Sequence, residues 1–209
     1  MITHIIWDYN GTVINDVDAS VAAVNDMLTS RGLPTTTKTE YTDTVSLPLD
    51  KYYSGLGITD ADMSKLSQEF RKYCKKHENL INVFSDFYIV IEQAINLGIK
   101  NILISSLYNE FLFSDLEKHD LIKYFDKIIG MNDTLVGSKF ENAKTYIKQN
   151  ELNPNNILFV GDLISDAQIA KKLGAKCVLI PNGHNSKQRC LLQEVTVLES
   201  LKCLIKYLK

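Results

Sequence analysis

Short apolar runs alternate with longer amphipathic segments over most of the chain. The runs are rich in Ile, Leu and Val, which is typical of strands buried on both faces of a sheet. The amphipathic segments have apolar residues at helical spacing, and two of them stop at a glycine, Gly98 or Gly174. The predicted strands are ITHIIW, KNILISS, DKIIGM, NNILFVGD and AKCVLIP. The predicted helices are DFYIVIEQAINLG, NEFLFSDLEKHDL, KFENAKTYIKQN, SDAQIAKKLG and VTVLESLKCLIKYL.

This alternation predicts an α/β fold in which helical crossovers join the strands of a Rossmann-like parallel sheet. Residues 15–80 differ, because no confident buried strand occurs among them. They contain two clear helical patterns, DASVAAVNDMLTSRGL, which stops at Gly32, and DADMSKLSQEFRKYCKKH, for which Asp60 is a plausible N-cap. We therefore expect a core made of residues 1–14 and 81–209, with an all-α insertion of residues 15–80 that covers the strand ends as a cap.

Reactive polar residues follow the predicted strands at the points where the strands end. In a parallel sheet these ends share one edge, so the side chains should converge there. The residues are Asp8, Asn10, Ser105, Ser106, Asp162 and Asp166, with Lys139 between the second and fourth core strands. Carboxylates, hydroxyls and one ammonium group suit a phosphate bound together with Mg²⁺, which prefers oxygen ligands. The NGT turn that contains Gly11 and Thr12 adds backbone N–H groups and a hydroxyl for phosphate oxygens.

Each of these residues also has an ordinary structural explanation. Asp162 could cap a helix, and Asp166 could favour a helix N-terminus. Ser105 could belong to a turn, and a single lysine such as Lys139 is usually a solvated surface residue. Asp8 could form an Asx-turn. The functional interpretation depends on the whole arrangement, in this order and at these strand ends.

The arrangement resembles the haloacid dehalogenase superfamily, most of whose members are phosphatases. The family motif D-x-D-G-T is matched by DYNGT with one departure, and G-D-x-x-x-D is matched in full by GDLISD. A serine or threonine that ends an apolar strand is matched by Ser105, and the lysine before the fourth strand is matched best by Lys139. The helical insertion resembles the small α-helical cap of phosphoglycolate-phosphatase-like members.

The resemblance implies a role for each matching position. Asp8 would attack phosphorus and form an aspartyl-phosphate. Asp8, Asp162 and the backbone carbonyl of Asn10 would hold Mg²⁺, and Asp166 would support the metal shell. The phosphate would be bound by the remaining positions, namely Ser105, Lys139, Gly11, Thr12 and Ser106. The expected function is that of a Mg²⁺-dependent phosphohydrolase acting on a small phosphorylated metabolite.

Asn10 departs from the family pattern, which usually has an acid–base aspartate there. An amide orients partners by hydrogen bonding but neither gives nor takes a proton, and general acid–base help is typically worth about 10²- to 10⁴-fold. Three hypotheses follow: a phosphatase for activated leaving groups, a slow phosphatase with another proton donor, or a phospho-ligand sensor without turnover. His184 is one candidate donor, although an ordinary loop histidine is the simpler interpretation. An aspartate restored at position 10 is expected to help esters with poor leaving groups.

Other chemistries fit less well. The family's dehalogenases resemble D-x-Y-G-T, whereas Tyr9 is one position away from that pattern. Its phosphonatases use a cap lysine, and no single cap lysine is distinguished by the sequence. A receiver domain would order its residues differently, and a nicotinamide enzyme would need a first turn richer in glycine than DYNGTV.

Composition limits the possible partners and the compartment. The 209 residues are 45% hydrophobic and 23% charged, as in ordinary globular proteins. A net charge of −2 provides no broad basic field, so neither nucleic acid nor a membrane is an expected partner. The four cysteines form no C-x-x-C pair and the N-terminus does not have the features of a signal peptide, which favours a reduced, cytoplasmic protein. The sequence does not indicate an oligomeric state.

Overall fold

The computed structural model describes residues 1–47, 49–59, 62–131 and 139–208. The strands are β1 (His4–Trp7), β2 (Ile14–Asn15), β3 (Asn82–Val83), β4 (Lys100–Tyr108), β5 (Lys127–Met131), β6 (Ile157–Gly161), β7 (Lys176–Leu179) and β8 (Thr196–Val197). The α-helices are α1 (Val17–Thr29), α2 (Lys38–Thr44), α3 (Leu49–Gly55), α4 (Met63–Lys76), α5 (Ser85–Asn96), α6 (Asn109–Lys118), α7 (Lys139–Gln149), α8 (Ile164–Leu173) and α9 (Lys187–Leu191).

Six of the strands form one sheet in the order β5-β4-β1-β6-β7-β8, and every neighbouring pair is parallel. β1 lies in the middle, where Trp7 pairs with Leu103 on one side and with Val160 on the other. Successive crossovers run outward from β1 in both directions, which makes the boundary between β1 and β6 the topological switch point of the sheet. The predicted α/β, Rossmann-like fold class is confirmed.

Both faces of the sheet are covered by helices. Ile5 and Trp7 belong to a cluster that contains the apolar side of α5, whereas Ile6 belongs to the opposite cluster with residues of α7 and α8. Successive strand residues point to opposite faces, so burial on both faces requires a continuous apolar run. The Trp7 indole N–H donates to Asn101 Oδ1 at 3.0 Å inside this core. The apolar run HIIW therefore fixes β1 as the central strand.

The segment between β2 and β3 is helical and has its own apolar cluster. Residues of α1 to α4 pack together there, among them Val24, Met27, Tyr52 and Leu66. β2 and β3 pair antiparallel as a separate two-stranded ribbon, which brings the two ends of this segment side by side. Two-residue strands are too short to produce a recognisable alternating pattern, so the sequence did not predict this ribbon.

Two local predictions need correction or replacement. Asp60, the expected N-cap of the second helical pattern, lies outside the described residues, and α4 is capped by Asp62, whose side chain accepts from the Lys65 N–H at 2.9 Å. The predicted last helix over VTVLESLKCLIKYL is wrong. Its start forms β8 beside β7, with Thr196 paired to Val178, and its end is the 3₁₀-helix Leu201–Tyr207. The β-branched residues Thr196 and Val197 favour a strand, and the edge of β7 offers them a pairing partner.

Candidate active site

The carboxylates predicted at the strand ends meet at the switch point of the sheet. Asp8 directly follows β1, and Asp162 directly follows the neighbouring β6. The Asp8 backbone N–H donates to the Val160 carbonyl at 2.8 Å, which continues the pairing of the two strands up to the acids. The parallel register thus places two residues that are 154 positions apart in the sequence at one point of the edge.

Three carboxylates and one ammonium group form the centre of the site. Asp8, Asp162 and Asp166 each offer an oxygen, and these oxygens all lie within 4.8 Å of one another. Lys139, the first residue of α7, bridges two of them: its Nζ pairs with Asp8 Oδ1 and, at 2.5 Å, with Asp166 Oδ1. All four residues are buried. We call this group the acidic cluster.

The acidic cluster has more negative than positive charge. Burial raises the pKa of Asp8, Lys139 lowers it and Asp166 raises it, with a net rise above the usual range. Burial raises the pKa of Asp162 well above its usual value, and the charges of Asp8 and Asp166 add to that rise. One ammonium group does not balance three carboxylates in a low-dielectric interior. The donor set, which consists of hard oxygen atoms with a charge deficit, suits a divalent cation of the Mg²⁺ type.

The NGT turn packs tightly against the acidic cluster. Gly11 has a φ of 74°, in the left-handed region, and a Cβ built there would clash with the carboxylate of Asp162. At Gly183, which follows β7, a Cβ would clash with the same carboxylate. Thr12 is fully buried, and its hydroxyl lies 3.4 Å from Asp8 Oδ2 and 3.3 Å from Asp162 Oδ1. The hydroxyl therefore lies between the two acids and can donate its one proton to either of them, and a contact of Thr12 with substrate stays a prediction.

The two serines lie near the end of β4, the strand beside β1. Ser105 is buried, and its Oγ accepts a hydrogen bond from the Leu107 N–H at 3.1 Å, whereas Ser106 is exposed. The pairing of β4 with β5 shifts register between Ile104 and Tyr108, the stretch that contains both serines. Their position along the edge suits phosphate binding, and that role stays a prediction.

A further buried carboxylate, Asp16, lies next to the acidic cluster and was not singled out from the sequence. Its Oδ2 accepts from Asn10 Nδ2 at 2.8 Å, and its Oδ1 accepts from the Gly11 N–H at 2.9 Å. His184 Nε2 lies 3.2 Å from the same Oδ1. Burial alone would raise the pKa of Asp16, but His184 and these hydrogen bonds hold it below the usual range. Asp16 is thus an ionised acceptor with three partners.

His184 is a core residue of the site and not a free loop histidine. It is 8% exposed, and both ring nitrogens have partners, Nε2 with Asp16 and Nδ1 with the Tyr41 hydroxyl at 2.9 Å. Burial lowers its pKa, but the neighbouring carboxylates, Asp16 first, raise it to about 9. Its backbone N–H also donates to Asp162 at 2.5 Å. The signal available in the sequence was its position just after a core strand, at the same sheet edge as Asp8.

Helix α2 is attached to the loop that carries His184. The Ser186 N–H donates to the Thr42 carbonyl at 3.1 Å, and Asn185 Nδ2 donates to the Val45 carbonyl at 3.2 Å. Arg189 Nη1 donates to both carbonyls, at 3.1 and 2.6 Å. These carbonyls end α2 and have no helical partner, so a guanidinium group is a suitable cap for them. The helical segment therefore contacts the core at this loop as well as at the β2–β3 ribbon.

None of the helices within the described ranges combines the length and the apolar character needed to cross a membrane.

Comparison with known proteins agrees with this geometry. The model of haloacid dehalogenase-like hydrolases matches residues 5–180. A phosphoglycolate phosphatase of Pseudomonas syringae pv. tomato is 28% identical over 193 residues, which is 87% of this chain and 70% of the relative.

Two solved structures share the fold over nearly their whole length. A haloacid dehalogenase-like family hydrolase of Streptococcus pneumoniae superposes with a TM-score of 0.82 at 18% identity, covering all of this chain and 99% of the other. CbbY of Rhodobacter sphaeroides, solved in complex with phosphate, has a TM-score of 0.74 at 16% identity and coverages of 98% and 96%. The match of the family model over most of the chain confirms the predicted family and the prediction of an enzyme: this protein belongs to the haloacid dehalogenase-like hydrolases.

Proposed function

We propose that this protein is a Mg²⁺-dependent phosphatase that hydrolyses a small phosphorylated metabolite through an aspartyl-phosphate on Asp8. The observation that carries the proposal is the bridging of Asp8 and Asp166 by Lys139 within the buried acidic cluster. In this proposal residues 15–80 act as the cap over the site. The phosphoglycolate phosphatases among the relatives support the choice of phosphate ester as substrate class.

The residues of the acidic cluster would have different roles in metal binding and in nucleophilic attack. Asp8, Asp162 and the backbone carbonyl of Asn10 would hold Mg²⁺, with Asp166 in support. The bound ion would offset the charge deficit of the cluster, keep Asp8 ionised and neutralise phosphate oxygens. Lys139 pairs with Asp8 Oδ1, whereas the hydrogen bond that Oδ2 accepts from Thr12 is long, at 3.4 Å. We therefore assign the attack on phosphorus to Oδ2.

The reaction has two displacements at phosphorus. Asp8 Oδ2 forms a bond to phosphorus while the bond to the leaving oxygen breaks, and that oxygen either departs as a stable anion or takes a proton from solvent water and departs as an alcohol. A water molecule then attacks phosphorus and gives a proton to solvent, the bond to Asp8 breaks, and inorganic phosphate is released with the Asp8 carboxylate regenerated. The transition state of phosphoryl transfer is loose, so Lys139 acts mainly by positioning Asp8 and by stabilising charge. Ser105 and the NGT turn would bind the remaining phosphate oxygens.

The test is the release of inorganic phosphate from a panel of phosphorylated metabolites that includes 2-phosphoglycolate. Turnover is expected with Mg²⁺ and should cease with a chelator. Asp8→Asn should lower the rate by more than about 10³-fold, because the amide is not a nucleophile for phosphorus. The matched control is Asp43→Asn, which removes an exposed carboxylate from α2 and should keep the full rate. Turnover that survives Asp8→Asn would contradict the assignment of the nucleophile.

A second candidate function is a sensor that binds a phosphorylated ligand without turnover. The amide at Asn10 favours it, because no proton donor occupies the usual position. The same panel separates the two functions. Metal-dependent binding of a phosphorylated metabolite by calorimetry, without release of phosphate from any ester, would favour the sensor over the enzyme.

A further inference from the structure

The hydrogen bond between Asn10 and Asp16 fixes the orientation of the amide at the position where the family usually has an acid. An ionised carboxylate has acceptor atoms only, so Asn10 must present its NH₂ group to Asp16 Oδ2, which lies 2.8 Å from Nδ2. The planar amide then holds its carbonyl oxygen away from Asp16. Asn10 is half-buried and Asp16 is buried, so the contact between them lies at the inner side of the site.

Asp16 cannot turn away from this contact without losing other partners. Its Oδ1 holds the N–H of Gly11 in the turn that follows the nucleophile, and it also meets the ring of His184. His184 is itself held by the Tyr41 hydroxyl of α2. A chain of hydrogen bonds thus runs from Tyr41 through His184 and Asp16 to Asn10. Its members come from the helical segment, the loop after β7 and the loop after β1.

We propose that Asp16 is a positioning residue that requires an amide at position 10, so that Asn10 and Asp16 act as a pair. A carboxylate at position 10 would face the carboxylate of Asp16 at hydrogen-bond distance, and like charges at that separation repel strongly in a buried site. Asn10 is therefore a partner for Asp16 and not a degraded acid. The inference rests on the proposed phosphatase function for its kinetic part only.

This contact changes the expectation for a restored acid. The single substitution Asn10→Asp should impair the enzyme on every ester, because it sets a carboxylate against Asp16 and disturbs the turn that holds Gly11. Acid catalysis at position 10 should become available only when Asp16 is replaced as well. The double variant Asn10→Asp/Asp16→Asn exchanges the two side chains, so an amide at position 16 can donate to the new carboxylate.

The experiment is a double-mutant cycle of wild type, Asn10→Asp, Asp16→Asn and the double variant. Turnover and KM are measured with saturating Mg²⁺ on p-nitrophenyl phosphate, which has a good leaving group, and on an alkyl phosphate that the wild type hydrolyses, which has a poor one. Asp16→Asn alone should lower kcat about tenfold with little change in KM, because it releases the amide of Asn10 while the carbonyl oxygen of the new amide can still accept the Gly11 N–H. The double variant should exceed Asn10→Asp by about tenfold or more, with the larger recovery on the alkyl ester.

If Asp16 had a purely structural role, the double variant should recover activity equally on both esters. A larger recovery on the alkyl ester therefore identifies a role in catalysis. The matched control is Asp18→Asn, an exposed acid of α1 that pairs with Lys38 at 2.8 Å. It should leave the wild-type rate unchanged and should not rescue Asn10→Asp. Equal or higher activity of Asn10→Asp with Asp16 intact would overturn the proposal. Single effects that simply multiply in the double variant would overturn it as well.

Thermal unfolding of the same four proteins without metal tests the pairing independently of catalysis. Asn10→Asp should melt at a lower temperature than wild type, and adding Asp16→Asn should raise its melting temperature. If Asn10→Asp does not fold, recovery of a folded protein in the double variant is the expected result, and no recovery overturns the pairing. Coupling in unfolding without phosphate release from any protein would refute the proposed phosphatase function and leave the pairing intact.

Discussion

The acidic cluster and the neighbourhood of Asp16 are adjacent but have opposite charge balance. In the acidic cluster, three buried carboxylates share one ammonium group, that of Lys139. Around Asp16, one carboxylate accepts from an amide, a backbone N–H and a histidine ring. The first region has a deficit of positive charge, and the second is satisfied by the residues of the chain.

The difference separates two uses of a buried acid. Buried carboxylates that outnumber the cations beside them are costly in a folded protein unless a further cation joins them, so the acidic cluster is suited to bind a metal ion and to react. A carboxylate with a full set of donors is suited to hold its neighbours in place. If this difference is real, the two regions should respond differently to the loss of a charge, the addition of a cation and the loss of a hydrogen bond.

Removal of Lys139 should have the largest effect on stability. Lys139→Met leaves Asp8 and Asp166 buried without their ammonium partner, and breaking a buried ion pair from one side costs about 3–5 kcal/mol. Urea unfolding in the absence of metal should show this loss in the free energy of unfolding, and added Mg²⁺ should recover part of it. Lys144→Met is the control, because Lys144 lies on the same helix with its side chain exposed. A loss no larger than that of the control would mean that Lys139 does not balance the cluster.

Mg²⁺ should stabilise the protein through the acidic cluster and not through Asp16. An ion that binds only the folded state raises the free energy of unfolding by about 2.7 kcal/mol when its concentration is one hundred times its Kd. Thermal unfolding with and without Mg²⁺ should show a shift in Tm for the wild type, which a chelator reverses. Asp162→Asn should abolish the shift, whereas Asp16→Asn should keep it. Equal loss in both variants would show that the two regions are not separate.

Loss of the guanidinium group that ends α2 should have a smaller effect. Arg189 donates to the carbonyls of Thr42 and Val45, and hydrogen bonds with a charged donor contribute about 1.5–3 kcal/mol. Arg189→Met should therefore lower the free energy of unfolding by about 2 kcal/mol. Lys187→Met in the same helix is the control, because Lys187 is exposed and pairs only with Glu199 among the described contacts. Equal effects of the two substitutions would show that Arg189 does not hold α2.

The smallest effect is expected from the hydroxyl of Tyr41. Tyr41→Phe removes one buried hydrogen bond to His184, a loss of about 1 kcal/mol. Tyr52→Phe is a matched control in the same apolar cluster, because the buried Tyr52 hydroxyl makes no hydrogen bond within the described part of the chain. Its removal should be neutral or stabilising. If Tyr41→Phe is as well tolerated as Tyr52→Phe, the hydrogen bond between Tyr41 and His184 does not contribute to stability.

The acids at the strand ends could be predicted from the sequence, whereas the contacts around Asp16 could not. Asp8 and Asp162 each follow an apolar run, and the rule that parallel strands end at one edge is enough to bring them together. Asp16 follows only a two-residue strand, and it meets His184 across 168 positions of sequence. Tyr41 meets His184 across 143 positions. No periodic pattern encodes either contact, because both depend on how the helical segment rests on the core.

The amino-acid sequence by itself determined the α/β class, the family and the positions of Asp8, Lys139, Asp162 and Asp166. The class follows from the distinct apolar periods of strands and helices, and the meeting of the acids follows from the shared edge of parallel strands. The family and the role of Lys139 were inferred from the resemblance of the sequence to the family's motifs. Only the tertiary structure decided that the tail adds an edge strand, that His184 is buried and that Asn10 faces a carboxylate. These features arise from contacts between distant segments, and their energies depend on burial and orientation, which a linear pattern of residues does not contain.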